Sequence, residues 1–164
     1  MTVLRLGQVL VERGLLTAEQ VSSILERQQQ SGQPFGVLAE GMFGIHPDRI
    51  EDAWAQQYAS LTRRIDPAIE IYEQRATELI TRRQAWQFRV LPIRFDGREL
   101  MMATTADHLR RALRFATRVL GVPTYFVVAS SKDLGEALCK RYPLPGMTPG
   151  SVEDEALERL LATG

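Results

Sequence analysis

The sequence predicts an α+β protein, in which an N-terminal helical subdomain of two helix-turn-helix repeats precedes a small α/β sandwich subdomain. Three observations favour this fold class. A residue pattern within the first 57 positions repeats at an offset of 29 residues. The helical periodicity is interrupted at 63–67, and β-branched runs then alternate with helical ones. With 164 residues, 45% hydrophobic and 24% charged, the composition is that of an ordinary globular protein.

The first copy of the repeat spans residues 5–28. Its first helix is predicted by residues at helical spacing: Leu6, Val9, Leu10 and Arg13. Gly14 can end that helix, and Leu15 and Leu16 then form an apolar turn. Thr17 suits the N-cap of a second helix, and Gln20 at the third helical position completes a capping box. One face of this helix carries Val21, Ile24, Leu25 and Gln28.

The second copy spans residues 34–57 and repeats the frame. Positions of similar size or polarity coincide: Leu16 with Ile45, Glu19 with Asp48, Val21 with Ile50, Leu25 with Trp54 and Gln28 with Gln57. We expect a break around 43–45, with Pro47 at the first position of the following helix. The two copies therefore predict a four-helix subdomain over residues 1–62.

A second subdomain is predicted over residues 63–143, after the break from Arg63 to Pro67. The expected elements are a helix at 73–83, strands at 90–95 and 99–103 joined by an Asp96-Gly97 hairpin turn, a helix at 107–120, a strand at 124–128 and a helix at 131–142. This α-β-β-α-β-α order predicts a small sheet layered with helices.

Residues 144–150 are rich in proline and glycine and are predicted to be a linker. They lead to a short amphipathic helix at 151–164, for which docking on the body, disorder and partner binding all remain open.

The net charge of zero conceals a basic middle region. Residues 63–118 carry 12 arginines and 7 acidic residues, whereas 1–62 carry 4 arginines and 7 acidic residues. Part of the excess forms a stripe on the predicted helix at 107–120: Arg110, Arg111, Arg114 and Arg118. We interpret this arginine stripe either as a solvated helix face or as a surface for an acidic protein partner, a phosphate or an anionic membrane.

Catalytic and metal chemistry find little support in the residue pattern. Cys139 is the only cysteine, and His46 and His108 lie in different subdomains without metal-ligand spacing. We therefore predict no enzyme, no metal and no cofactor. Nucleic-acid binding is not expected, because neither net charge nor a stacking motif supports it. The sequence has no apolar run of membrane-spanning length and no secretory leader, so we expect a cytoplasmic protein.

Copy one resembles the 24-residue MshEN motif at its patterned positions: Arg5-Leu6-Gly7, Leu10-Val11, Gly14-Leu15-Leu16, Val21, Leu25 and Gln28. Residues 29–33 match the five-residue spacer between tandem copies. The resemblance extends to about residues 4–143, since Val90-Leu91-Pro92-Ile93, Leu100 to Ala103 and Val127-Val128-Ala129-Ser130 are similar to the second subdomain of these domains. The family comprises N-terminal domains of type II secretion and type IV pilus ATPases. The sequence lacks the phosphate-binding loop of such an ATPase, so no nucleotide hydrolysis is expected.

The resemblance implies that the duplicated helices bind cyclic di-GMP, as some family members do. The expected contact residues are Arg5, Leu6, Gly7, Leu10, Val11, Gly14, Leu15, Leu16, Val21, Leu25 and Gln28 in copy one, and Pro34, Phe35, Gly36, Gly44, Ile45, Ile50, Trp54 and Gln57 in copy two. Apolar side chains would contact the bases, glycines would permit close approach, and Arg5 would meet a phosphate or stack on a base. Leucines and glycines in these positions are equally typical of helix packing and helix ends.

Copy two departs from the motif, which leaves a second function open. Pro34 stands where the motif has a basic residue, while Ala39 and Glu40 replace Leu10 and Val11. The chain is therefore either a cyclic di-GMP-binding regulatory module or a protein-protein adaptor of a secretion, pilus or polysaccharide system that no longer binds the nucleotide. In both cases we expect a protein partner, which could hold the chain at the inner membrane.

Overall fold

The computed structural model describes residues 6–61 and 63–154, with side chains at 7–55 and 63–154. Its N-terminal part contains the four predicted helices: α1 (Leu6–Glu12), α2 (Ala18–Ser31), α3 (Phe35–Phe43) and α4 (Pro47–Leu61). The two helix-turn-helix repeats are thus confirmed. Arg5 and the side chains of Leu6 and Gln57, all predicted ligand contacts, lie outside the described residues.

The helix ends follow the predicted local signals. Thr17 Oγ1 accepts a hydrogen bond from the Gln20 amide at 3.1 Å, and Gln20 Oε1 accepts one from the Thr17 amide at 2.9 Å. Gly44 ends α3 in the left-handed conformation with φ of 70°, which glycine adopts without steric cost. Pro47 opens α4 as expected, and Ile50, Ala53 and Trp54 on that helix are buried.

The second subdomain contains a three-stranded sheet and the helices around it. Its elements are a 3-10 helix (Pro67–Ile69), α5 (Gln74–Thr77), α6 (Arg82–Phe88), β1 (Leu91–Asp96), β2 (Glu99–Thr104), α7 (Leu109–Arg118), β3 (Thr124–Val128), α8 (Ser131–Arg141) and a second 3-10 helix (Pro149–Glu153). The strand order is β1-β2-β3. β1 and β2 are antiparallel, whereas β2 and β3 are parallel and are connected through α7. The predicted α+β class is confirmed.

The prediction of a single helix at 73–83 is wrong. The chain forms two short helices instead, because Thr81 caps α6: Thr81 Oγ1 accepts from the Gln84 amide, and Gln84 Oε1 accepts from the Thr81 amide, both at 3.0 Å. Before α5, Glu73 is held to β1, where its amide donates to Ile93 O at 2.9 Å. The hairpin turn is also displaced by one residue, because Asp96 still pairs with Glu99 and the loop is Gly97-Arg98.

The boundary segment extends the sheet. Val128 donates to Arg63 O at 2.8 Å, and Ile65 donates to Val128 O at 2.9 Å, so residues 63–65 pair with the outer edge of β3. Arg64 and Val128 form a parallel bridge. The helical pattern therefore breaks where the chain leaves α4, and the residues that follow cover the edge of the sheet at β3.

The predicted linker at 144–150 is packed on the body. Leu144 and Met147 lie against the core, and Pro149 approaches α8 so closely that a Cβ on Gly135 would overlap it. The segment is anchored further by the buried Arg89, whose guanidinium donates to Val152 O at 3.1 Å and Asp154 O at 3.0 Å. A helix was predicted at 151–164. Its first residues belong to the second 3-10 helix, and residues 155–164 lie outside the described part of the chain.

The two subdomains share one hydrophobic core. Helix α7 packs against α3 and α4, and the arginine stripe faces acidic residues of α4. Arg118 Nε lies 3.0 Å from Glu51 Oε1, Arg114 Nε lies 3.5 Å from Glu51 Oε2, and Arg110 pairs with Asp52. These arginines are therefore matched inside the chain. Their docking on a partner remains a prediction, and the sequence did not reveal this internal role.

Candidate cleft between the repeat and the sheet

An open cleft of about 940 Å³ lies between α2 and the sheet subdomain. Helix α2 and its C-cap contribute Ser22, Leu25, Glu26, Gln28, Gln29 and Gly32. The opposite wall comprises α5, the β1–β2 hairpin and the loop before β3, with Arg75, Phe95, Gly97, Arg98, Glu99, Gly121, Val122 and Pro123. The volume lies in the range of roughly 300–1,000 Å³ that small-molecule sites occupy.

Gln28 is the most unusual residue at this cleft. Only 1% of it is exposed, and neither its Nε2 nor its Oε1 finds a hydrogen-bond partner within residues 6–61 and 63–154. A buried donor or acceptor left unpaired costs about 1–3 kcal/mol. Because buried polar side-chain atoms are nearly always hydrogen-bonded, the amide of Gln28 has room for a partner such as an ordered water or a ligand.

The wall opposite α2 carries two arginines that differ in their hydrogen-bond partners. Arg75 is paired with Glu73 at 3.0 Å and lies over the Phe95 ring at 4.3 Å from its centroid. The Arg75 guanidinium, together with the Phe95 amide that donates to Glu73 Oε1, lowers the pKa of the Glu73 carboxyl. Arg98, in contrast, reaches across the cleft and donates from Nη1 to Gln29 Oε1 at 2.8 Å.

A smaller and mostly apolar cavity of about 150 Å³ adjoins the cleft. Gly7 and Gln8 of α1, Phe35 of α3 and Ala116 of α7 border it. Four further lining residues also line the cleft: Leu25, Glu99, Val122 and Pro123. Val21 of α2 and Thr124 of β3 complete the lining. Residues of both motif copies and of the sheet subdomain thus line these two adjoining cavities.

The predicted contact residues fall into three groups. Those that border the cavities are Gly7, Val21, Leu25, Gln28 and Phe35. Others are packed in the core, including Leu10, Leu16, Ile50 and Trp54, of which Trp54 tilts against Phe35 at a centroid distance of 5.7 Å. Of the rest, Val11 and Gly14 are exposed, while Leu15, Pro34 and Ile45 are half-buried and Gly44 caps a helix. Their ligand contacts remain a prediction.

Gly7 and Gly36 each allow two helices to pack closely. From the sequence we expected them to allow close approach of the ligand. A Cβ on Gly7 would overlap Val21 Cγ1, so its absence lets α1 cross α2 closely. A Cβ on Gly36 would come within 2.8 Å of Thr117 O, so α3 lies directly on α7. The residues that the sequence analysis missed are the hairpin and loop side chains of the opposite wall, because only the tertiary fold brings them to α2.

Two further properties bear on the class of site. None of the helices within 6–61 and 63–154 is both long and apolar enough to cross a membrane. Within the same ranges, no three histidine, cysteine or acidic side chains are grouped so that they could hold a metal ion.

A family model, that of the MshEN domain, matches residues 60–148, which is more than half of the chain. The chain belongs to the MshEN domain family, and the resemblance drawn from its sequence is confirmed. The matched segment starts after the two motif copies, so the ligand contacts assigned to those copies remain a prediction.

Solved structures similar to this chain include MshE with cdg, with 25% identity, a TM-score of 0.42, and coverage of 85% of this chain and 99% of that chain. Two crystal forms of the XpsE N-terminal domain are also similar. One has 20% identity and a TM-score of 0.38 over 84% of this chain and 92% of that chain. The other has 19% identity and a TM-score of 0.37 over 80% and 90%, respectively. The comparison with curated proteins gave no match.

Proposed function

We propose that this chain is a non-catalytic regulatory domain that binds cyclic di-GMP in the cleft between α2 and the sheet subdomain. The observation that carries the proposal is Gln28, a buried amide with both polar atoms unpaired at the final position of motif copy one. A ligand with base edges that both donate and accept hydrogen bonds would satisfy it once the side chain turns towards the cleft that it borders. The unpaired amide, the cleft volume and the motif resemblance all favour a ligand of this kind.

The chemistry of the cleft suits guanine in particular. Glu26 borders it, and guanine presents N1–H and a 2-amino group, a donor pair that a carboxylate can accept. Adenine lacks that donor pair on its Watson–Crick edge. The apolar side chains of Leu25 and Val122 supply contacts for a base, from which water is excluded as the ligand enters.

The altered second copy does not obstruct the cleft. Glu40, which replaces an apolar motif residue, is exposed on α3, and Ala39 occupies the buried position beside it. The carboxylate of Glu40 therefore remains in water, where it causes no desolvation cost in the motif. Copy two serves mainly as the support of the site, because Ile50 and Trp54 lie in the core.

Isothermal titration calorimetry on the full chain tests the proposal. Wild type should bind cyclic di-GMP with saturable heat and should discriminate against cyclic di-AMP. Gln28→Met keeps the length and apolar character of the side chain but removes the amide, and we expect about a tenfold or greater loss of affinity. Gln30→Met changes an exposed glutamine of the same helix and should bind like wild type.

The result that contradicts the proposal is an absence of heat with folded wild type at millimolar cyclic di-GMP. Equal affinity of Gln28→Met and Gln30→Met would contradict the location of the site in this cleft. Arg5→Ala, at the start of motif copy one, tests whether that residue contributes a phosphate contact.

A further inference from the structure

We infer that Arg98, in the turn of the β1–β2 hairpin, is a phosphate-binding residue of this site and links the sheet subdomain to the ligand. The inference rests on the proposed function and deepens it, because the hairpin lies outside the duplicated motif. It assigns the second wall of the cleft a direct part in recognition.

The state of Arg98 supports this role. Its guanidinium spans the cleft to the side-chain oxygen of Gln29, a neutral amide, at 2.8 Å. A guanidinium forms stronger hydrogen bonds with an anionic oxygen than with a neutral one, and it matches phosphate in a bidentate geometry. A phosphate at the mouth of the cleft would therefore compete successfully for Arg98.

The charges around the cleft favour Arg98 over its neighbour. Arg75 also borders the cleft, but its charge is met by Glu73 at 3.0 Å and its guanidinium covers the Phe95 ring. Glu26 adds negative charge to the wall formed by α2, so a phosphate is repelled except close to an available cation. Arg98, exposed and bonded to an uncharged partner, supplies that cation at the edge of the cleft.

Copy two explains why such a cation is needed. The motif has a basic residue at the position of Pro34, and proline offers neither a charge nor an amide donor. Cyclic di-GMP carries two phosphates, and the first position of the motif supplies one arginine, Arg5 in copy one. Arg98 provides a second positive group from the other subdomain.

Phosphate binding by Arg98 would change the contacts between the β1–β2 hairpin and α2. In this structure the Arg98–Gln29 bond joins the hairpin to α2, and nearby a Cβ on Gly121 would overlap Gly32 O, so the loop before β3 also lies on the α2 C-cap. When a phosphate replaces Gln29 as the partner of Arg98, the ligand becomes the link between hairpin and helix. Binding would then change the coupling of the two subdomains at the cleft mouth.

Calorimetry with three variants tests the role of Arg98. Arg98→Gln should weaken cyclic di-GMP binding about 10- to 100-fold, which is the range expected when a charge-assisted hydrogen bond is lost. Arg82→Gln removes the same charge from an exposed position at the start of α6 and should leave the affinity unchanged. Gln29→Ala removes the neutral partner with which a phosphate competes for Arg98, so we expect tighter binding, and weaker binding would contradict the exchange of partners.

The salt dependence of the affinity provides a second measurement. Raising NaCl from 50 to 500 mM should weaken binding to wild type more than to Arg98→Gln, because a screened charge contact is already absent from the variant. Equal affinities and equal salt dependence for wild type and Arg98→Gln would overturn this inference while the proposed function stands. If wild type itself gives no heat, the proposed function fails first, so the two failures are distinguishable.

Discussion

Glu51 Oε1 on α4 lies 3.0 Å from Arg118 Nε on α7, and this contact crosses from the duplicated motif to the sheet subdomain. The Glu51 side chain is completely buried, whereas 39% of the Arg118 side chain is exposed. Arg114 and Thr117 complete the surroundings of the carboxylate, each at 3.5 Å. A buried charge needs such partners, so the position of α4 on α7 depends on them.

Arg118→Ala should destabilise the protein by about 2 kcal/mol, because Glu51 then remains buried with Arg114 as its charged partner. The full cost of breaking a buried pair, about 3–5 kcal/mol, is reduced here by the exposure of the arginine. Urea unfolding followed by circular dichroism gives the free energy of unfolding. Arg110→Ala is the matched control, since its pair with Asp52 is exposed on both sides and should contribute about 0.5 kcal/mol. Equal losses from the two variants would contradict the importance of the buried carboxylate.

Two glycines of α3 should respond to alanine in opposite directions. Gly36→Ala places a Cβ within 2.8 Å of Thr117 O and should cost about 1–3 kcal/mol through overpacking of α3 on α7. Gly41→Ala meets no atom within 4 Å and should stabilise the helix by about 0.5–1 kcal/mol. Thermal unfolding of the two variants measures the contrast. A stabilised Gly36→Ala protein would show that α3 does not approach α7 as closely as described.

Gln28→Met should stabilise the unliganded protein while it weakens ligand binding. Removal of an unpaired buried amide relieves a desolvation cost of about 1–3 kcal/mol, and methionine fills a similar volume. The predicted result is a higher melting temperature without cyclic di-GMP than that of wild type. A destabilised variant would indicate that Gln28 forms hydrogen bonds in the folded protein and has a structural role.

Alkaline pH should destabilise the fold through Tyr142 and Tyr72. Burial raises the pKa of both phenols above the ordinary value of about 10. Above that value the unfolded chain loses these protons while the folded chain retains them, so the free energy of unfolding decreases as pH rises. Tyr142→Phe loses the hydrogen bond to Thr77 O but should show a shallower decrease between pH 10 and 12. Unfolding curves at each pH provide the comparison, and identical slopes for variant and wild type would refute this assignment.

Local chemistry made much of the fold predictable from the sequence. Several signals are encoded within a few residues and appear as expected. They are the Thr17 capping box, the helix end at Gly44 and the β-branched runs that form strands between the helices. The Thr81 capping box was encoded in the same way, but the helical periodicity of the surrounding residues concealed it. Competing local signals thus explain the wrong helix at 73–83.

The candidate site was harder to predict, because it depends on contacts between residues far apart in sequence. Gln28 and Leu25 were identified from the motif, whereas Arg98 and Phe95 reach the same cleft only after the hairpin folds against α2. The arginine stripe illustrates the same limit. Its periodicity indicated a polar helix face, but the sequence could not show that Glu51 of α4 would lie against it.

A titration of the ¹⁵N-labelled chain with cyclic di-GMP, followed by amide chemical shifts, tests the central claim most directly. If cyclic di-GMP binds in this cleft, we expect saturable shifts at Gln28 and Gln29 on α2 and at Gly97 and Arg98 in the hairpin, with smaller changes for cyclic di-AMP. Unchanged spectra at millimolar cyclic di-GMP, or shifts confined to residues remote from both walls of the cleft, would contradict it.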